Sequence, residues 1–219
     1  ATMDGLACVS CVDTIIESNT VQRADGTGIY LAGKQITVRN NTVSESVLRT
    51  QGDADGIRFF GNGHRLTGNT IKDIKASGYG DDPRGGPHTD CFQTFNTASN
   101  PPTYDVVIAD NVCTNVDVQC LIATANESGA RGTPEGQTAI VFERNTCSVN
   151  GAQAILLENF PHVVVRDNSF SGPGSRAVQL NRGSTDCAVI GNTVTDRMLP
   201  YQIDQQSRSG FQEAGNTSR

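Results

Sequence analysis

Apolar and polar residues alternate along this chain in short runs, and the runs recur. The clearest marker of the recurrence is asparagine. Asn19-Thr20-Val21, Asn41-Thr42-Val43, Asn69-Thr70-Ile71, Asn111-Val112-Cys113, Asn145-Thr146-Cys147, Asn168-Ser169-Phe170, Asn192-Thr193-Val194 and Asn216-Thr217-Ser218 are one unit, spaced by 22, 28, 42, 34, 23, 24 and 24 residues. Ahead of each asparagine stands a small residue followed by an apolar alternation: Gly5-Leu6, Gly28-Ile29, Gly56-Ile57, Cys91-Phe92, Cys120-Leu121, Ala154-Ile155, Ala177-Val178 and, in the last repeat, Gln202-Ile203. A third apolar pair lies just before the asparagine, as in Ile36/Val38, Val106/Ile108, Ile140/Phe142 and Val163/Val165. Period-2 alternation marks strands, and three such runs in a fixed repeat of about 23 residues mark a parallel β-solenoid. Each coil would add one strand to each of three sheets, and the asparagines would stack as a ladder of side-chain amides.

Composition agrees. Val and Ile total 32 residues and Leu only 9, too few for the leucine ladder of the repeat family with a similar period. Thr (22), Asn (17) and Gly (23) are heavy, which suits strands joined by tight turns. The 219 residues are expected to form a single domain, 1–219, of roughly nine turns about 4.8 Å apart. Net charge is −6 with three lysines and no basic tract, which argues against a nucleic-acid partner. No apolar stretch is long enough for a membrane helix, and no signal peptide is visible ahead of the repeats. Both ends fall near a repeat boundary, so short or missing caps, and a piece of something longer, are expected.

Seven cysteines fall into slots. Cys113 and Cys147 share the slot of Val21, Val43 and Ile71, and Cys91 and Cys120 share that of Gly28 and Gly56. Stacked neighbours lie within disulfide range. Cys113 with Cys147 and Cys91 with Cys120 are thus the candidate bonds, the alternative being buried free thiols. Cys8 and Cys11 have a C-x-x-C spacing without a second pair, so no metal site is expected there.

The repeat is broken by insertions at 44–53, 72–88, 96–104 and 125–137. They flank both ends of the same strand in consecutive turns, Ile57–Phe60, Phe92–Phe95 and Leu121–Thr124. Loops 72–88 and 125–137 would stand on opposite rims of a groove over residues 55–124, floored by that sheet and suited to an extended polymer. Alternation points Tyr30, Arg58, Gln93, Ile122, Leu156 and Gln179 outward. One column just ahead of the strand reads Thr27, Asp55, Asp90, Gln119, and another reads Asp25, Asp53, His88, Asp117. The densest polar cluster is Asp53, Asp55, Arg58, His88, Asp90, Gln93, Asp117 and Gln119, in the turns with the longest insertions. Asp55 and Asp90, stacked in adjacent turns, cannot both ionise freely; one stays protonated as an acid, or a cation neutralises them.

On the asparagine, small-residue and apolar columns, the chain resembles the right-handed parallel β-helices of the pectate-lyase-like superfamily over nearly its whole length. That resemblance implies action on a polysaccharide as a lyase, hydrolase or C5-epimerase, outside the cell or at its surface. Its small lyases are near this length, which favours β-elimination on a uronate-containing glycan. Ca²⁺ on Asp53, Asp55 and Asp90 would then grip the uronate, His88, Lys75 or Arg84 would be the base, and Arg58 would neutralise the carboxylate. Gln93, Gln119, Lys75, Tyr79 and Arg84 are the candidate substrate-binding residues. In the alternative, a hydrolase, Asp90 is the acid and Asp55, Asp53 or Asp117 its partner. The run Tyr79–Pro83 with His88 is loosely similar to the alginate epimerases. A non-catalytic glycan-binding β-helix is the third reading, and the few stacking aromatics (Tyr79, Phe60, Phe95, Tyr104) weigh slightly against it.

Overall fold

The computed structural model describes residues 4–49, 53–78, 86–96, 99–125, 136–195 and 197–219. The recurring runs form three parallel sheets of eight strands each. The first sheet takes the runs after the small residues: Leu6–Val12, Thr27–Lys34, Asp55–Asn62, Asp90–Phe95, Gln119–Thr124, Gln153–Glu158, Arg176–Asn181 and Leu199–Ile203. The second takes the apolar pairs, from Ile15–Glu17 to Gln212–Ala214, and the third the runs after each asparagine, from Thr20–Gln22 to Thr217–Ser218. Every strand pairs with its counterpart one turn away, as when Ile29, Ile57, Phe92, Leu121, Ile155 and Val178 follow one another in register. All six are fully buried. Among the described residues each sheet has eight strands, one per turn. In the last turn the register pairs Val178 with Tyr201, so the small-residue slot is Pro200, two positions before the Gln202 expected from the pattern.

The asparagine ladder runs the length of the molecule. Asn145 shows its bonding in full. Its Oδ1 accepts from the backbone N–H and the Nδ2 of Asn111, both at 2.9 Å. Its Nδ2 donates to Asn168 Oδ1 at 3.1 Å and to the Ile108 carbonyl at 2.9 Å. The same side-chain bond links Asn19 to Asn41, Asn41 to Asn69, Asn69 to Asn111, Asn168 to Asn192 and Asn192 to Asn216. The residue before each asparagine has positive φ: Ser18, Asn40, Gly68, Asp110, Arg144, Asp167, Gly191 and Gly215. A left-handed residue bends the chain sharply between the second and third sheets and turns the next amide inward.

At the next corner, where the third sheet hands over to the first, the small-residue slot faces the third-sheet slot of the same turn. Where the first is glycine, a β-branched side chain fills the space a Cβ would take: Val21 against Gly5, Val43 against Gly28, Ile71 against Gly56. Where the first is cysteine, so is the second. The disulfides are therefore Cys91–Cys113 and Cys120–Cys147, within turns, and not the stacked pairs Cys91–Cys120 and Cys113–Cys147. Stacked residues are close, but their side chains run parallel; residues facing across the corner point at each other. Cys8 and Cys11 form a third disulfide, and Cys187 is a buried free thiol.

Asn145→Ala strips buried partners from Asn111, Ile108 and Asn168. At ~1–3 kcal/mol per buried group left unsatisfied, the expected loss is about 4 kcal/mol in urea unfolding. Asn216→Ala, at the ladder's end, is expected to cost about 1 kcal/mol. Equal losses at the two positions would contradict the ladder's role. Non-reducing peptide mapping is expected to return Cys91–Cys113 and Cys120–Cys147. Each closes a loop of 22 or 27 residues in sequence separation, so removing either pair is expected to cost about 3 kcal/mol.

Candidate functional site

The polar cluster gathers at the entry to three consecutive first-sheet strands. Asp53 and His88 pair as an isolated parallel bridge, and the Ala54 amide donates to the His88 carbonyl at 2.9 Å. Arg58 and Gln93 are in register, as are Asp90 and Gln119. Seven of the expected residues thus lie together: Asp53, Asp55, Arg58, His88, Asp90, Gln93 and Gln119.

Within it, two buried groups stand behind two accessible ones. Arg58 Nη2 donates to Asp53 Oδ2 at 2.8 Å and to Asp55 Oδ2 at 2.5 Å. The Asp55 side chain is fully buried, whereas that of Asp53 is 31% exposed. His88 Nδ1 lies 3.0 Å from Asp90 Oδ2, with the His88 side chain 47% exposed and that of Asp90 wholly buried. Gln93 Nε2 donates to the same Asp90 oxygen at 3.4 Å. The Asp90 amide donates to Asp55 Oδ1 at 3.2 Å, which ties the two halves together. Asp90 Oδ1, Gln93 Oε1 and Gln119 Oε1 are buried without a partner.

Burial dominates the protonation of both aspartates. It pushes Asp55 up to about 8, against the pull of Arg58 and with the help of Asp90 and Asp53. It also raises Asp90, against the pull of His88. The bond to Asp90 raises His88 to about 9 despite burial. His88 therefore keeps its proton through neutral pH, bonded to Asp90. Burial works to lower Arg58, but Asp55 and Asp53 hold it above its usual range, so it stays charged.

Two expected members lie elsewhere. Lys75 bonds Asn115 and lies 3.2 Å from Asp117 Oδ1. Asp117 takes further bonds from the Ala76 amide and Asn150 Nδ2. Counting from the repeat puts Asp117 in the column of His88. In the structure its amide bonds the Ile74 carbonyl, and the first-sheet register resumes only where Gln119 bonds the Thr89 carbonyl. Tyr79 and Arg84 fall outside the described residues, as do 79–85 of loop 72–88 and 126–135 of loop 125–137. Those loops leave from opposite ends of first-sheet strands, one leading into Asp90–Phe95 and the other out of Gln119–Thr124.

The trio Asp53, Asp55 and Asp90 does not fit a calcium cage in this arrangement. Among the described residues, the ligand atoms of three or more His, Cys, Asp or Glu converge within 4.8 Å only at Cys91, Cys113 and Cys120, whose sulfurs are in disulfides. The cation between Asp53 and Asp55 is the Arg58 guanidinium. Phe95 was expected only as a stacking aromatic, and its neighbour Asn96 carried no sequence signal. Phe95 lies edge-on to Phe60, with centroids 4.9 Å apart, and under Arg58, whose Cζ is 5.7 Å from its ring centre. Asn96, next to it, buries an unpartnered Oδ1.

A three-sheet parallel solenoid with an acid-rich cluster at the entry to one sheet defines a class of protein. The family model described as right handed beta helix region matches residues 4–194, and the chain belongs to that family. No curated protein matches in sequence. Among solved structures, the tailspike protein of E. coli bacteriophage HK620 in complex with a pentasaccharide aligns with a TM-score of 0.64 at 12% identity, over 99% of this chain and 44% of that one. A mutant of that tailspike, also with pentasaccharide, gives 0.68 at 11% over the same shares. XylC in complex with xylose gives 0.53 at 15%, over 86% of this chain and 31% of that one. At these identities the likeness is one of fold, and the chain spans less than half the length of each.

The dyad has a signature in stability. The folded-state value of His88 is raised from 6.5 to about 9, so its contribution is complete below about pH 6.5 and is lost as pH rises through 9. Asp55, also raised, adds a loss with the same sign that ends near pH 8. The difference in urea midpoint between wild type and His88→Gln is therefore expected to shrink from pH 6.5 to above 9. A difference independent of pH would contradict the dyad.

Proposed function

We propose that this protein is a glycoside hydrolase that cuts an extended polysaccharide lying over the first sheet. His88, backed by Asp90, is the proton donor, and Asp53, held by Arg58, is the partner carboxylate. The observation that carries this reading is which groups reach solvent: the His88 imidazole, bonded to the buried Asp90, and the Asp53 carboxylate, held by Arg58, lie side by side. The bond to Asp90 keeps the proton on His88 through neutral pH. Hydrolysis needs that pair. His88 gives its Nε2 proton to the glycosidic oxygen as the C–O bond breaks. A water attacks the anomeric carbon and passes its proton to Asp53. Asp90 and Asp55 act through His88 and Arg58 and are positioning residues.

Elimination from a uronate draws less support. It needs an unengaged cation beside the sugar carboxylate, and Arg58 and Lys75 are both held by aspartates. As the base, His88 would be free of its proton only above about pH 9. The neighbours that hold saccharides, the tailspike and XylC, fit a glycan as the partner. Three disulfides suit an oxidising compartment, so a secreted or cell-surface protein is part of the proposal.

The test is a panel of pectate, alginate, hyaluronan, xylan and other neutral glycans, with and without Ca²⁺, read for reducing ends and for the ultraviolet absorbance of unsaturated products. New reducing ends without that absorbance are expected. Absorbance with reducing ends would make the protein a lyase, and binding without either would make it a glycan-binding module. Rates of His88→Gln and Asp53→Asn are expected to fall by roughly 10² to 10⁴, with little change in Asp186→Asn.

A further inference from the structure

Two cysteine pairs occupy the same corner of the solenoid in consecutive turns. Cys91 and Cys120 follow Asp90 and Gln119 as the second residues of their first-sheet strands. Cys113 and Cys147 are register partners in the third sheet. All four are fully buried. Across the corner the Cα atoms are 6.2 Å apart for Cys91 and Cys113 and 6.1 Å for Cys120 and Cys147. The sulfurs of Cys91, Cys113 and Cys120 all lie within 4.8 Å of one another, and Cys147 is bonded to Cys120. Four sulfurs thus share one volume. A disulfide in each turn does not need the two pairs in contact. Packing does not need cysteine either, since Gly28 with Val43 and Gly56 with Ile71 fill the same slots in the turns before.

We infer that Cys91, Cys113, Cys120 and Cys147, when reduced, form a tetrathiolate site for Zn²⁺. Zinc takes four thiolates in a tetrahedron, and Zn–S bonds of about 2.3 Å set the sulfurs about 3.8 Å apart. That spacing falls within the span the three sulfurs already occupy. Thiols in this core stay neutral on their own: burial pushes the free thiol of Cys187 up to about 12. A soft divalent cation displaces such protons and holds the thiolates. No channel to the core is needed, because the ligands meet only as the turns stack, so the metal enters as the chain folds. Metal and disulfides are then alternatives. Two molecules of a small disulfide take four electrons from the four thiolates. Cys91–Cys113 and Cys120–Cys147 form, four small thiolates leave, and Zn²⁺ departs in the same oxidation state. Under reducing conditions the metal staples the corner beside Asp90 and Gln119, and under oxidising conditions the disulfides do.

The experiment uses the full chain with Cys8→Ser, Cys11→Ser and Cys187→Ala, so that only the four cysteines remain. It is refolded from urea with a phosphine reductant and Co²⁺, and then titrated with Zn²⁺. One Co²⁺ per chain is expected, with the thiolate charge-transfer band and the intense d–d bands of tetrahedral cobalt, and Zn²⁺ is expected to abolish both. The thermal midpoint of the reduced chain is expected to rise with Zn²⁺, and that of the oxidised chain to stay where it is. The reference adds Cys91→Gly with Cys113→Val and Cys120→Gly with Cys147→Val, which copies the packing of the turns without cysteine. It is expected to fold with neither bands nor a response to Zn²⁺. Bands that survive in the reference overturn the site, as does a reduced four-cysteine chain that folds without them. So does a midpoint indifferent to Zn²⁺, one metal shared between two chains, or a reduced chain that does not fold even with metal present.

Discussion

The asparagine ladder is the constraint on which the rest depends. Each amide spends two donors and two acceptor positions, and one acceptor bond reaches the backbone N–H of the previous turn. The ladder therefore stacks side chains and also fixes the axial register of every coil, because a coil displaced by one residue would bury an unpaired amide. With register pinned at that one corner, the coil can lengthen elsewhere without losing alignment. The interval from Asn69 to Asn111 is 42 residues, yet the bond between them is 3.0 Å, the same as that between Asn19 and Asn41 across 22.

That tolerance makes the site possible. The insertions enter at both ends of first-sheet strands and never inside the stacked core. The residues they carry or precede, Asp53 and His88, meet as bridge partners although they are 35 residues apart in sequence, and Asp90 meets Asp55 across the same interval. Burying two carboxyls so close costs stability in any ionised state. Arg58 and His88 offset that cost, and each does so by facing one buried aspartate while presenting or holding a group at the surface. Burial and reactivity come from one arrangement.

Much of this was legible in the sequence. Ladder, sheets and inward columns follow from a period that the hydrophobic effect and the amide bond both enforce, and insertions shift it only in known places. The cluster of Asp53, Asp55, Arg58, His88, Asp90, Gln93 and Gln119 was legible for the same reason. Asp117 was misplaced because a residue count cannot say where inside a long insertion the register resumes. The cysteines were misread for a different reason. The pattern shows both slots, but the neighbourhood that decides the bonds is the corner and not the stack. The pairing of glycine with Val or Ile in the unbonded turns carried the signal: the two slots share one volume, so two cysteines that occupy both are face to face.

What no pattern could show is direction and depth at the site. Alternation says that Asp90 lies on the polar side of a strand. It does not say that the carboxyl is wholly buried while the imidazole two residues earlier is half exposed. That difference reverses their roles. A buried carboxyl cannot touch a substrate, but it can set the proton and the orientation of the exposed ring in front of it. The same holds for Asp55 behind Arg58 and Asp53. In the proposed mechanism the stacked carboxyls of Asp55 and Asp90 are the support, and the chemistry falls to the two side chains they hold at the surface.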